Sequence, residues 1–110
     1  MFRQTRIKMI IPFSVYSIDR DMEVHYIGAK WCKACHTVKP RAKEVSEKAT
    51  LPFFEHDYDA MTEQEQSTLT KLPTIQIKVK GVLEATFTTS SAADQLELYL
   101  QKKLLMYEDF

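Results

Sequence analysis

Cys32 and Cys35 stand inside the run Trp31-Cys32-Lys33-Ala34-Cys35-His36. Paired thiols at this spacing do redox chemistry or hold a metal. A thiolate, not a thiol, attacks a disulfide, and an ordinary cysteine, with a pKa of about 8.5, is mostly protonated at neutral pH. Placing Cys32 at the start of a helix changes that balance. The unpaired backbone N–H groups and the positive end of the helix dipole both favour the anion. Cys35 then lies one turn further along, close enough to bond Cys32 and release a product. In that arrangement Cys32 is the attacking nucleophile and Cys35 the resolving, more buried thiol. Lys33 adds a neighbouring cation and His36 a titratable ring, and both tune the thiolate.

This chemistry needs a helix that opens at once after a preceding element, and the flanking residues supply one. Met22 to Ala29 is β-branched and aromatic and ends at Gly28, which reads as a buried strand running into a turn. From Cys35 the apolar residues Val38, Ala42, Val45 and Ala49 follow in steps of three and four, one face of a helix. Pro40 inside that helix is expected to kink it. Phe53 to Tyr58 reads as a second strand. Thr62 with Glu65 forms a capping box and opens a short helix from Glu63 to Thr70. Pro73 to Lys78 alternates Ile75 and Ile77 against Gln76 and Lys78. Gly81 turns the chain into Val82 to Phe87, a hairpin. Ser90 or Ser91 caps a last helix with Ala93, Leu96, Leu100 and Leu104 on its buried face. Ahead of all this, Ile7 to Ile11 reads as an edge strand stopped by Pro12, and Phe13 to Asp19 as a short helix or a loop.

Strands alternating with helices and closing on a hairpin define an α/β fold, a mixed central sheet flanked by helices. A length of 110 residues predicts a single domain over 1–110. The balance of 15 basic against 15 acidic residues gives no excess that would point to nucleic acid or a membrane surface. The cations do gather in the N-terminal half, at Arg3, Arg6, Lys8, Lys30, Lys33, Lys39, Arg41 and Lys43. They form either a solvated face or a positive field around Cys32. No apolar run approaches the ~20 residues of a membrane span. Met9 to Ile18 follows Arg6 and Lys8 in the manner of a secretory signal, but Pro12 interrupts it and no small-residue cleavage site follows. The expectation is a cytoplasmic monomer.

Trp31-Cys32 with Cys35, Pro40 five residues beyond it, and Leu72-Pro73-Thr74 ahead of the hairpin together resemble the thioredoxin family. The order of elements agrees from about Glu23 to Leu104. This resemblance implies the thioredoxin fold and a thiol–disulfide oxidoreductase acting as a disulfide reductase on protein substrates. No bound cofactor is implied, because the redox group is the cysteine pair itself. A thioredoxin- or glutaredoxin-type reductase, or glutathione, would recycle it. By the same resemblance Pro73 is cis and lies beside the cysteines with Thr74 next to it. Leu72 offers its backbone to an extended substrate, and Trp31 shields the thiols while presenting an apolar face. Two departures from the family pattern carry expectations of their own. Lys33-Ala34 replaces the usual Gly-Pro, and the added cation favours thiolate, predicting a potential more oxidising than roughly −270 mV. Tyr26 occupies the position where the family buries an aspartate. Glu55 on the neighbouring strand, where the family usually has a lysine, is then expected to be the buried acid that accepts the Cys35 proton.

Three other readings compete. Cys32-Lys33-Ala34-Cys35-His36 also matches the C-x-x-C-H haem attachment pattern, with His36 and Met61 or Met106 as axial ligands. That reading leaves the surrounding strands and Pro73-Thr74 without a purpose. Zinc on Cys32, Cys35, His36 and either His25 or His56 lacks the second ligand pair of a structural site, so no metal is expected. A binding module that turns over nothing would have no need of both cysteines together with Trp31 and Pro73.

Overall fold

The structure is a computed structural model and describes residues 21–108. Strand β1 (Met22–Gly28) forms its axis. Successive side chains of a strand point to opposite faces. Accordingly Met22, Val24 and Tyr26 enter the core while Glu23 and His25 are only half-buried on the other side. Strand β2 (Phe53–Asp57) pairs parallel with β1, placing Glu55 opposite Tyr26. On its other edge β1 pairs antiparallel with β3 (Thr74–Val79), which pairs antiparallel with β4 (Val82–Thr88). The four described strands thus run in the order β2-β1-β3-β4.

Parallel neighbours require a long crossover. Helix α1 (Lys33–Lys48) is that crossover, and α3 (Ala92–Glu108) packs beside it. Between the helices and the sheet lies one apolar cluster containing Val24, Ile75, Ile77, Ala42 and Leu96, all fully out of solvent. Full burial of a Val, Leu or Ile side chain contributes roughly 1.5–3 kcal/mol relative to exposure. The helix crossing is further bridged by Arg41 of α1, 2.8 Å from Asp94 and 2.6 Å from Glu97 of α3. The cluster also contains Cys32 and Cys35, so the chemistry is anchored to the part of the molecule least able to move.

The expected elements appear, with two boundaries corrected. Helix α2 (Glu63–Gln66) carries the capping box of Thr62 and Glu65 but stops short of Thr70. Its last turn is closed by side chains: the Ser67 hydroxyl donates to the Gln64 carbonyl and the Thr68 hydroxyl to the Glu65 carbonyl, both at 2.7 Å. Such local bonds compete with helical propagation. Strand β2 ends at Asp57, not Tyr58. There the Asp57 carboxylate accepts the Asp59 N–H at 3.1 Å and turns the chain into a 3₁₀ turn, Tyr58–Ala60. Ser91 precedes α3, its carbonyl accepting the Gln95 N–H at 2.9 Å. The expected strand at 7–11, the segment 13–19 and the side chains of Leu104 and Met106 lie outside the described residues.

Candidate active site

The turn after β1 delivers Cys32 to the N-cap of α1 with an extended backbone, φ −86° and ψ 108°. An N-cap side chain normally accepts a backbone N–H from the first turn. Here the acceptor is sulfur: Cys32 Sγ lies 3.3 Å from the Cys35 N–H. In the structure this sulfur belongs to the disulfide; once reduced, a thiolate at this helix head would be favoured by the same backbone N–H. Cys32 and Cys35 are joined as a disulfide with Cα atoms 5.3 Å apart, within the range such bonds need. Both are buried, Cys32 at 8% exposure and Cys35 at 4%, so Cys35 is the deeper of the two. Further along, α1 continues through Pro40. A proline there removes the N–H that would reach the His36 carbonyl.

Around the pair, the expected residues take different places. Lys33 and His36 are exposed on the first turn of α1, and the His36 ring donates from Nε2 to the Lys30 carbonyl at 3.1 Å. Trp31 is 64% exposed. Its indole N–H is shared by both oxygens of Asp59, at 3.0 and 3.2 Å, and its ring meets Tyr58 edge-on. The Leu72–Pro73 peptide is cis. Pro73 and Thr74 are buried, and Leu72 packs against the cluster that holds the cysteines. The Thr74 hydroxyl donates to the Lys71 carbonyl and the Thr89 N–H to that of Pro73, the latter at 3.1 Å, tying this loop to the end of β4.

Glu55 requires a correction. It is not a buried acid: its side chain is 53% exposed and ion-paired with Lys39 of α1 at 2.7 Å. It lies on the outer strand of the described sheet, and the buried place on the central strand is filled by Tyr26. The Tyr26 hydroxyl donates to the Cys35 carbonyl at 3.3 Å. Burial, with the negative charge of Glu55 second, pushes that phenol up to about 12, so it stays protonated at any ordinary pH. Behind Cys35 is a cavity of about 270 Å³ lined in part by Tyr26, His36, Lys39, Pro40 and Glu55.

Asp59 escaped sequence reasoning, because a carboxylate so far along the chain from Trp31 carries no spacing signal. Lys39 and Tyr26 are singled out there, but their contacts with Glu55 and the Cys35 carbonyl are not. His25 and His56, candidates there for zinc, instead bond one another. The Glu23 carboxylate accepts from His25 Nε2 at 2.9 Å, which leaves His25 Nδ1 to accept from His56 Nε2, also at 2.9 Å. Among the described residues no three His, Cys, Asp or Glu side chains gather as a metal site. Nor is any described helix long and apolar enough to cross a membrane.

A disulfide-bonded C-x-x-C pair at the head of a helix on a mixed sheet, in the same core that Leu72 of a cis-proline loop packs against, is the arrangement of thiol–disulfide oxidoreductases. The chain belongs to the thioredoxin family, whose model matches residues 14–102. It is similar to the Schistosoma mansoni thioredoxin pre-protein, at 25% identity and a TM-score of 0.66, covering 81% of this chain and 86% of that one. It is also similar to oxidised Plasmodium falciparum thioredoxin, at 26% identity and a TM-score of 0.61 over 80% and 88%. The germline-specific thioredoxin Deadhead of Drosophila melanogaster shares the fold at 20% identity, with a TM-score of 0.66 over 81% and 87%. No curated protein matches the sequence. Family membership accounts for C-x-x-C-H without recourse to haem.

Proposed function

We propose that this protein is a disulfide reductase acting on protein substrates. The Cys32 thiolate attacks a substrate disulfide, forms a mixed disulfide and releases the first substrate thiol. Cys35 loses its proton and attacks Cys32 Sγ, closing the Cys32–Cys35 disulfide and releasing the second thiol. Two electrons pass from the protein to the substrate, and the cysteine pair is the whole redox group. A reductase of thioredoxin or glutaredoxin type, or glutathione, returns the pair to the dithiol in a reducing, cytoplasmic setting. The substrate lies across Trp31, Lys33, Leu72, Pro73 and Thr74, held by strand-like backbone bonds at Leu72 and apolar contact with the Trp31 ring. Trp31 suits that role because Asp59 and Tyr58 hold it while most of the ring faces solvent.

The observation that carries this reading is the Cys32–Cys35 disulfide at the helix head, with Cys32 Sγ against the Cys35 N–H, a position that would favour the attacking anion once the pair is reduced. Insulin reduction with dithiothreitol as electron source tests it. Catalysed precipitation of the insulin B chain is expected, and it disappears in Cys32→Ser. A rate equal to dithiothreitol alone would leave a non-catalytic binding module as the better reading.

A further inference from the structure

We propose that Thr89 is a positioning residue for peptide substrates: its left-handed backbone aims the Thr89 N–H at the Pro73 carbonyl, and the ease with which residue 89 holds that shape sets how firmly Leu72 is presented to a substrate strand. This rests on the disulfide-exchange reading above and concerns the binding step that precedes the chemistry.

Three described residues other than glycine have a positive φ: Thr50 at 55°, Lys80 at 54° and Thr89 at 71°. In that region a Cβ crowds the following carbonyl, and a β-branched side chain is the least tolerated. Two of the three are explained where they stand. Thr50 follows the C-cap of α1, and its N–H and that of Leu51 turn back to the Glu47 and Ser46 carbonyls at 3.0 and 2.9 Å, a common left-handed stop for a helix. Lys80 and Gly81 make the two-residue turn between β3 and β4, a turn that calls for positive φ at both positions. Thr89 ends no helix and turns no hairpin. It opens a turn in which its carbonyl accepts the Ala92 N–H at 3.1 Å, but the shape of such a turn is set by its two central residues, not by its first.

What the strained backbone achieves is a bond across the fold. Strand β4 ends at Thr88, opposite Thr74. At the next residue the Thr89 N–H reaches the Pro73 carbonyl at 3.1 Å. On the other side of the loop the Thr74 hydroxyl holds the Lys71 carbonyl. The loop is therefore tied on both sides of Leu72. Leu72 itself makes no backbone hydrogen bond among the described residues, and its side chain is anchored in the core that holds both cysteines. Its N–H and carbonyl are the groups a substrate strand would pair with. Backbone strain persists only where the surroundings over-determine it, and ligand clamps are among the places where it gathers.

Here the strain opposes the clamp. A residue-89 backbone that leaves the left-handed region takes its N–H away from Pro73 and frees the Leu72 peptide to turn. Affinity falls with the fraction of molecules in the binding-competent arrangement. A residue that enters the left-handed region more readily therefore gives tighter peptide binding. Glycine enters it freely and asparagine with little penalty. Threonine is worse, and valine worse still, because it lacks a hydroxyl to bond its own backbone. Asparagine keeps a Cβ, so it separates relief of strain from the general loosening that glycine brings.

Steady-state reduction of insulin by Thr89→Gly, Thr89→Asn and Thr89→Val, with dithiothreitol as electron source, gives kcat and KM separately. KM is expected to fall several-fold in Thr89→Gly and Thr89→Asn and to rise in Thr89→Val, with kcat moving little. Hydroxyethyl disulfide, which has no backbone to pair with Leu72, is expected to show no such gradation. Amide hydrogen exchange reads the clamp itself: the Thr89 N–H is expected to be protected in the wild type, and the same position more so in Thr89→Asn. An unchanged KM for insulin in both Thr89→Gly and Thr89→Asn, even with a raised Tm, would make the strain a matter of stability alone and overturn the proposal. The same gradation with hydroxyethyl disulfide would overturn it too, as would a wild-type Thr89 amide that exchanges like that of an unfolded chain. A wild type that reduces neither disulfide sinks the exchange reading and this proposal together, which none of the preceding results does.

Discussion

Gly28→Ala is the substitution whose cost follows most directly from the geometry around Cys35. A methyl group at Gly28 would overlap the Tyr26 hydroxyl and stand 2.7 Å from Cζ and 2.9 Å from Cε2 of that ring. The ring is 2% exposed and cannot swing into solvent without leaving the core. Overpacking of this kind costs about 1–3 kcal/mol. Moving the hydroxyl also breaks its bond to the Cys35 carbonyl, worth about 1 kcal/mol. The expected loss is therefore about 2–4 kcal/mol, or on the order of 10–20 °C in Tm for a domain of this size. Urea unfolding of Gly28→Ala, Tyr26→Phe and the double variant measures it. Removing the hydroxyl relieves the tightest overlap, so Gly28→Ala is expected to cost about 1 kcal/mol less in the Tyr26→Phe background. Gly81 is the control. It sits at φ +82° with nothing within 4 Å of a built Cβ, so Gly81→Ala pays only for its left-handed backbone, about 1–2 kcal/mol, whatever residue 26 is. A Gly28→Ala protein within about 0.5 kcal/mol of wild type, the range of neutral surface changes, would refute the packing of Tyr26 against this strand end.

Further outcomes follow from other parts of the molecule. Cys35→Ser is expected to accumulate a mixed disulfide with substrate that mass spectrometry detects, and Cys32→Ser to form none. Ile77→Ala empties a fully buried site on β3 and is expected to cost about 2–5 kcal/mol in urea unfolding. Asp59→Ala releases the Trp31 indole; iodide quenching of its fluorescence is expected to rise and kcat/KM for insulin to fall several-fold, with little change in Tm. His56 is held below its usual 6.5, first by burial and then by the nearby His25 and Lys78 charges, against the pull of Glu65. The folded state thus binds fewer protons than the unfolded one just below pH 6.5. Stability is complete above that value and declines as pH falls, and His56→Gln is expected to flatten the decline.

The cysteine pair, the strand ahead of it and the hairpin behind Pro73 were legible because each has local causes. C-x-x-C at a strand–helix junction needs only spacing. Ile75 and Ile77 alternate with Gln76 and Lys78, and Gly81 supplies the turn. Where reading failed, the cause lay across space. Glu55 was expected to be buried on the strength of its strand, but its exposure depends on strand order and on Lys39 reaching from α1. Asp59 acquires its role only when the 3₁₀ turn after β2 lifts it to Trp31. The Glu23–His25–His56 chain exists because the parallel register sets β1 and β2 side by side, a pairing no local pattern shows. Helix α2 ended early because Ser67 and Thr68 turned their hydroxyls back on their own carbonyls.

Equilibration of the protein in glutathione buffers, with the state of Cys32 and Cys35 read by thiol alkylation and mass, bears most directly on whether this pair is a working redox couple. A reversible two-electron transition of the folded protein is expected, at a midpoint more oxidising than roughly −270 mV because Lys33 stands beside the nucleophile. Cysteines that change state only when the protein unfolds would contradict it.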